Sequence, residues 1–264
     1  MNSWLSILSS VLAILAIIFL WLAIYIFRDV ILIAEKLEKK DLGSLGILLA
    51  LPLSLALPVI TSYYVMNVGS VPPPEVGIIG SSLFLLAALL LFRPTLALAR
   101  ICGNVHVPGL MLLSYLLTYI VANVAQMARF PALYAADQLM SLAAQLIIGI
   151  GLINLSVYTH NFKNFTVQIM NTKFSTHYEL SSLLLMAGII LPMGTTLMTT
   201  ATRDVLVMGA AEAAPTIIPL YFLAHLMLAI GGMLAFVAML VFKKAIEEFC
   251  IRFGSLSALI RKEK

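Results

Sequence analysis

The stretch PALYAADQLMSLAAQLIIGIGLINLSVY, Pro131 to Tyr158, has the length and apolar content of a membrane-crossing helix, yet it is not uniformly apolar. Asp137, Ser141, Gln145 and Gly149 recur every four residues with Gln138 beside them, so one helical stripe is polar or small while the opposite face is Leu, Ile and Ala. A carboxylate and two amides in hydrocarbon are costly unless they face other helices, water or a substrate. This helix therefore belongs inside a bundle, and the expected fold class is an all-α, polytopic integral membrane protein.

The rest of the chain agrees. Of its 264 residues 62% are hydrophobic and 11% charged, with a mean hydropathy of +1.06; a soluble domain carries about a quarter charged residues. Further apolar segments at about 3–27, 44–66, 77–98, 109–127, 180–202 and 216–242 join 131–158 to give seven spans in a single transmembrane domain, followed by a cytoplasmic tail over 243–264. The first helix is expected to continue into DVILIAEKLEKKD, where apolar residues keep helical spacing. Pro94 is expected to break the third segment just after Arg93, and the tail to form an amphipathic helix interrupted near Gly254. THNFKNFTVQIMNTKFSTHYE, residues 159–179, reads as a basic, aromatic loop.

Charge sets the orientation. No Lys or Arg precedes the first apolar run, and the basic cluster Arg28, Lys36, Lys39 and Lys40 follows it, which predicts a retained helix with its N-terminus outside. With seven spans, only Arg129 and Arg203 of the 16 Lys and Arg then fall outside, and the C-terminus is cytoplasmic. The expected location is the plasma membrane, with membrane lipid as the first partner. The same bias accounts for the pI near 9.1. Cys102 and Cys250 are far apart, form no CxxC, and argue for neither a disulfide framework nor a metal site.

Asp137 lies about six residues, roughly 9 Å, below the outer end of its span. It reads either as a proton or cation site or as a structural carboxylate bonded to its neighbours or to Arg129 or Arg203. Gln138, Ser141 and Gln145, with Tyr119 and Gln126 on segment four and Thr195 and Thr199 on segment six, would line a path or cement helices at roughly 1 kcal/mol per bond. Threonine hydroxyls also bond back to the preceding turn, so the Thr195–Thr202 run does not by itself imply a pore. His225 and Met193 fall at similar depth, which makes an axial haem pair conceivable, although a lone helical His is usually just hydrogen-bonded. No cofactor or metal site is expected. A phosphate loop, a nucleophile elbow and paired carboxylates are all missing, so no enzyme is expected either.

The Asp137–Tyr158 helix with its basic loop HNFKNF, the Thr195–Thr202 run and the KKAIEEF tail together resemble the TrbL-like polytopic channel components of type IV secretion. In length and layout they are most similar to the CedA-like family of archaeal DNA-import membrane proteins. The resemblance implies a non-catalytic channel or scaffold subunit. Such a subunit works in a hetero-oligomeric complex with a separate cytoplasmic motor ATPase and small membrane partners to move DNA. A DNA path needs basic groups at its mouth, and Lys163, Lys173, Lys243, Lys244 and Arg252 are the candidates, although the positive-inside bias explains the same residues. Two other classes stay open: a respiratory membrane anchor, haem-bearing at His225, and a small-solute permease centred on Asp137.

Overall fold

The computed structural model describes residues 3–35, 73–101, 130–159 and 166–253. Among the described residues there are five α-helices: α1 (Ser3–Glu35), α2 (Pro74–Ile101), α3 (Ala132–Thr159), α4 (Ser181–Met208) and α5 (Ala210–Phe253). Between α3 and α4 lie two short strands, β1 (Thr166–Ile169) and β2 (Thr172–Ser175), and a single π-helical turn, Thr176–Leu180. Segments 44–66 and 109–127, and with them Tyr119 and Gln126, lie outside the described residues, as do Arg129 and Lys163.

Four of these helical stretches are long and apolar enough to cross a membrane: Trp4–Val30, Ala132–Val157, Thr176–Met208 and Pro215–Ile251. The apolar part of α2, Pro74–Leu90, is shorter. Helix is the form such sequences take in hydrocarbon, because every backbone N–H and C=O must be satisfied within the segment. The chain is thus a helical membrane protein carrying one small hairpin. Two expectations change. α2 passes through Pro94 without a break, as α4 passes through Pro192 and α5 through Pro219. Proline removes one hydrogen bond, and the rest of a long apolar helix outweighs that loss. Residues 243–253 of the expected tail continue α5, one helix of 44 residues reaching Phe253, and 254–264, with the expected interruption near Gly254, lie outside the described residues.

Contacts fix the relative directions. Ser9 meets His225 and Asp29 meets Lys243, so α1 and α5 run parallel. Ser81 meets Asp137 and Ser82 meets Met140, so α2 and α3 run parallel as well. Gln138 with Thr199 and Ser156 with Ser181 make α4 antiparallel to α3. Consequently α1, α2, α3 and α5 share one direction and α4 opposes them.

The apolar core occupies the end of the bundle where α3 finishes and α4 begins. Phe27 and Val30 of α1, Leu155 of α3, Leu184 of α4 and Phe242, Ile246 and Phe249 of α5 are buried together there. Without a hydrophobic drive between helices in lipid, close packing has to supply the contact energy. Glycines permit it: a β-carbon on Gly188 would meet Ile153 Cγ1 at 3.0 Å and the Gly149 carbonyl at 3.1 Å.

The stretch expected to be a loop folds into an antiparallel hairpin in which Val167 pairs with Phe174 and Ile169 with Thr172. Met170 and Asn171 both have positive φ, 47° and 65°, as a two-residue hairpin turn whose twist matches the strands demands. Val167 is buried, and Ile169 and Phe174 pack on the apolar core, while Thr166, Gln168 and Lys173 face outward. A period of two within TVQI made one face of the hairpin apolar.

Candidate functional site

At the opposite end of the bundle, four helices enclose a cavity of about 90 Å³. α3 contributes Asp137, Gln138, Ser141 and Gln145, α4 contributes Thr195, Met198, Thr199 and Thr202, α2 contributes Gly77, Gly80, Ser81 and Phe84, and Tyr221 of α5 completes the lining. The stripe read from the sequence and the threonine run therefore face one another across a shared space.

Asp137 is its centre. Its Oδ1 accepts a short hydrogen bond from the Ser81 hydroxyl, and its Oδ2 accepts one from Gln138 Nε2 at 3.3 Å. Gln138 Oε1 lies 3.2 Å from the Thr199 hydroxyl, which also donates to the Thr195 carbonyl at 3.0 Å, so one proton is shared between two acceptors. One turn deeper, Gln145 Nε2 donates to Ser141 Oγ at 3.0 Å. Thr202 and the buried Tyr221 hydroxyl stand 3.2 Å apart. Arg203, offered by the sequence as a partner for Asp137, instead holds Asp204 at 2.5 Å.

The threonines act in both of the ways the sequence allowed. Thr195 and Thr196 donate to the Pro192 carbonyl at 2.7 and 3.0 Å, Thr200 to Thr196 and Thr202 to Met198 at 3.0 Å. These bonds brace the helix beside Pro192, while Thr199 and Thr202 also reach across to neighbouring helices.

A second, apolar cavity of about 120 Å³ adjoins the first and shares Phe84, Gln145 and Thr195 with it. Leu20, Phe27, Leu152 and Leu191 are among its walls.

The remaining sequence candidates do not assemble as anticipated. His225 is 1% exposed, with Nδ1 2.7 Å from the Ser9 hydroxyl and its ring stacked on Tyr221, whereas Met193 is 49% exposed on the outside of α4. The His/Met pair therefore does not form, because the two side chains point to different surroundings. Among the described residues no three His, Cys, Asp or Glu side chains come together as metal ligands. Of the basic mouth, Lys173 on β2 and Lys244 on α5 are exposed, Lys243 is bound to Asp29 at 2.8 Å, and Arg252 lies in the last turn of α5.

The cavity residues missed from sequence are Gly77, Gly80, Ser81, Phe84, Met198 and Tyr221. Small residues at 77, 80 and 81 share one helical face, and that spacing was the available signal. No protein family, curated protein or solved structure matches the chain.

Proposed function

We propose that the chain is a non-catalytic, multi-pass plasma-membrane subunit of a machine that moves DNA, acting as scaffold or channel wall alongside a separate cytoplasmic ATPase and small membrane subunits. The observation that carries this reading is how the polar stripe is used. Asp137, Gln138, Thr199 and Ser81 bond to one another across three helices, so the stripe is a seam joining them. Lys173 and Lys244 then stand exposed on elements at the far end of the bundle, available to phosphate.

The cavities limit how DNA would travel. Spaces of about 90 and 120 Å³, at about 10–15 Å³ per water, are on the scale of several waters rather than of a DNA strand. On this reading the DNA path runs between subunits, with the bundle as wall, and the seven-span, N-out arrangement puts the Lys173 and Lys244 end in the cytoplasm.

Deletion of the gene followed by complementation tests the reading. Loss of DNA uptake between cells with respiration intact is expected, and the double charge reversal Lys173→Glu with Lys244→Glu should restore uptake poorly. Normal uptake in the deletion strain rejects the proposal. A haem absorbance lost on His225→Ala would replace it with the respiratory-anchor reading.

A further inference from the structure

We propose that the Asp137 cavity binds a small monovalent cation in competition with a proton. This goes beyond the scaffold reading and does not depend on it.

The first argument is charge. A carboxylate held among membrane helices must be neutralised by a proton, a basic side chain or a bound ion. Among the described residues Asp137 takes part in no ion pair, and Arg203 is committed to Asp204. Ser81 and Gln138 each supply one hydrogen bond, while an ionised carboxylate offers about four lone-pair sites, so two remain.

The second argument is the polarity of the wall. Thr195, Thr199 and Thr202 line the cavity, and each hydroxyl already gives its proton to a carbonyl of its own helix, Pro192, Thr195 and Met198 respectively. What these hydroxyls present to the space is lone pairs. Ser141 Oγ likewise stands in the lining as an acceptor from Gln145. A cavity rich in acceptors beside an incompletely satisfied carboxylate attracts a positive charge and offers little to an anion.

Size and ligand chemistry narrow the occupant. A water needs about 10–15 Å³ of such space, so about 90 Å³ accommodates a partly dehydrated ion with several waters. The polar groups of the lining are hard oxygens, and the one soft donor beside them, the thioether of Met198, does not make a transition-metal site alone. Calcium sites recruit 6–8 oxygens, commonly several of them carboxylate; here a single carboxylate balances a single charge. The exposed Glu75 stands in the first turn of α2, at the same end of the bundle as Asp137. Glu75 would draw cations to that end.

The test is equilibrium binding of radioactive sodium to the purified full-length chain in lipid nanodiscs at mildly alkaline pH. Saturable binding is expected, displaced by lithium and by acidification but not by choline. Asp137→Asn should weaken it at least tenfold, and Ser81→Ala and Thr199→Val by several-fold each. Absence of saturable binding to the unaltered protein overturns the proposal, and so does undiminished binding by Asp137→Asn. Should Asp137→Asn fail to fold, the unaltered protein still decides: choline displacing sodium as well as lithium does, or binding that ignores acidification, also overturns it.

Discussion

Gly77 and Asp137 set how closely two parallel helices approach: a β-carbon on Gly77 would stand 2.6 Å from Asp137 Oδ2 and 2.9 Å from its Cγ. A side chain at 77 would force the Asp137 carboxyl, held by Ser81 and Gln138, out of its present position. Gly77→Ala should destabilise the purified protein by about 1–3 kcal/mol through overpacking. The same substitution in an Asp137→Ala background should cost clearly less. Unfolding in detergent, followed for the two single variants and the double, measures the coupling; strict additivity would reject the contact.

Two other glycines separate steric from conformational cost. Gly231 is packed so that a β-carbon would lie 2.9 Å from Leu191 Cγ and Cδ2, while Gly209 has φ of +83° and nothing within 4 Å. Gly209 ends α4 with ψ of 153°, a region nearly reserved for glycine. Both alanine variants should lose of the order of 1–3 kcal/mol. Adding Leu191→Ala should relieve the Gly231 variant and leave the Gly209 variant unrelieved.

The Asp29–Lys243 ion pair joins α1 to α5 at 2.8 Å with side chains 27% and 30% exposed. At that exposure a double-mutant cycle with Asp29→Asn and Lys243→Gln should return a coupling of about 0.2–1 kcal/mol. The coupling should shrink on raising salt from low to molar concentration, where the screening length falls to about 3 Å.

The hairpin turn places a methionine where asparagine or glycine fits better, since Met170 has φ of 47° and is 94% exposed. Met170→Asn should slow hydrogen exchange of the β1 and β2 amides, and Met170→Val, β-branched in a left-handed conformation, should speed it. Equal exchange in all three proteins would mean that the turn does not limit opening of the hairpin.

Orientation is open to direct measurement. In a Cys102→Ser, Cys250→Ser background, a cysteine at Lys173 or Lys244 should react with an impermeant maleimide only after the cells are opened. A cysteine at Glu212, exposed in the first turn of α5, should react in intact cells. The reverse pattern would invert the N-out arrangement and move the basic end outside.

The stripe on α3 was legible because a four-residue period of polar groups in an apolar helix has few other uses, and the structure turns it toward Thr195 and Thr199. Its partners on α2 were not legible, because a small side chain carries no polarity signal and Gly77, Gly80 and Ser81 pass as ordinary members of an apolar helix. The hairpin was missed for a related reason. Lys163, Lys173 and two histidines made residues 159–179 look like a solvated loop, and only the alternation of Val167 and Ile169 with polar neighbours marks a strand. His225 was legible as a hydrogen-bonded helical histidine but its partner was not, since Ser9 lies 216 residues away on the first helix. Of the seven expected spans four have helices long and apolar enough to cross a membrane, the apolar part of α2 is shorter, and 44–66 and 109–127 lie outside the described residues.

The length of α5 has a mechanical meaning. At 1.5 Å per residue its 44 residues reach about 66 Å, against about 30 Å of hydrocarbon. Its internal prolines, Pro215 and Pro219, both stand in the first quarter of the helix. From Tyr221, in the wall of the Asp137 cavity, to Phe253 the helix is an uninterrupted stiff rod. One rigid element therefore ties the wall of the Asp137 cavity to the Lys244 end, clamped to α1 near both ends by the Ser9–His225 contact and the Asp29–Lys243 pair.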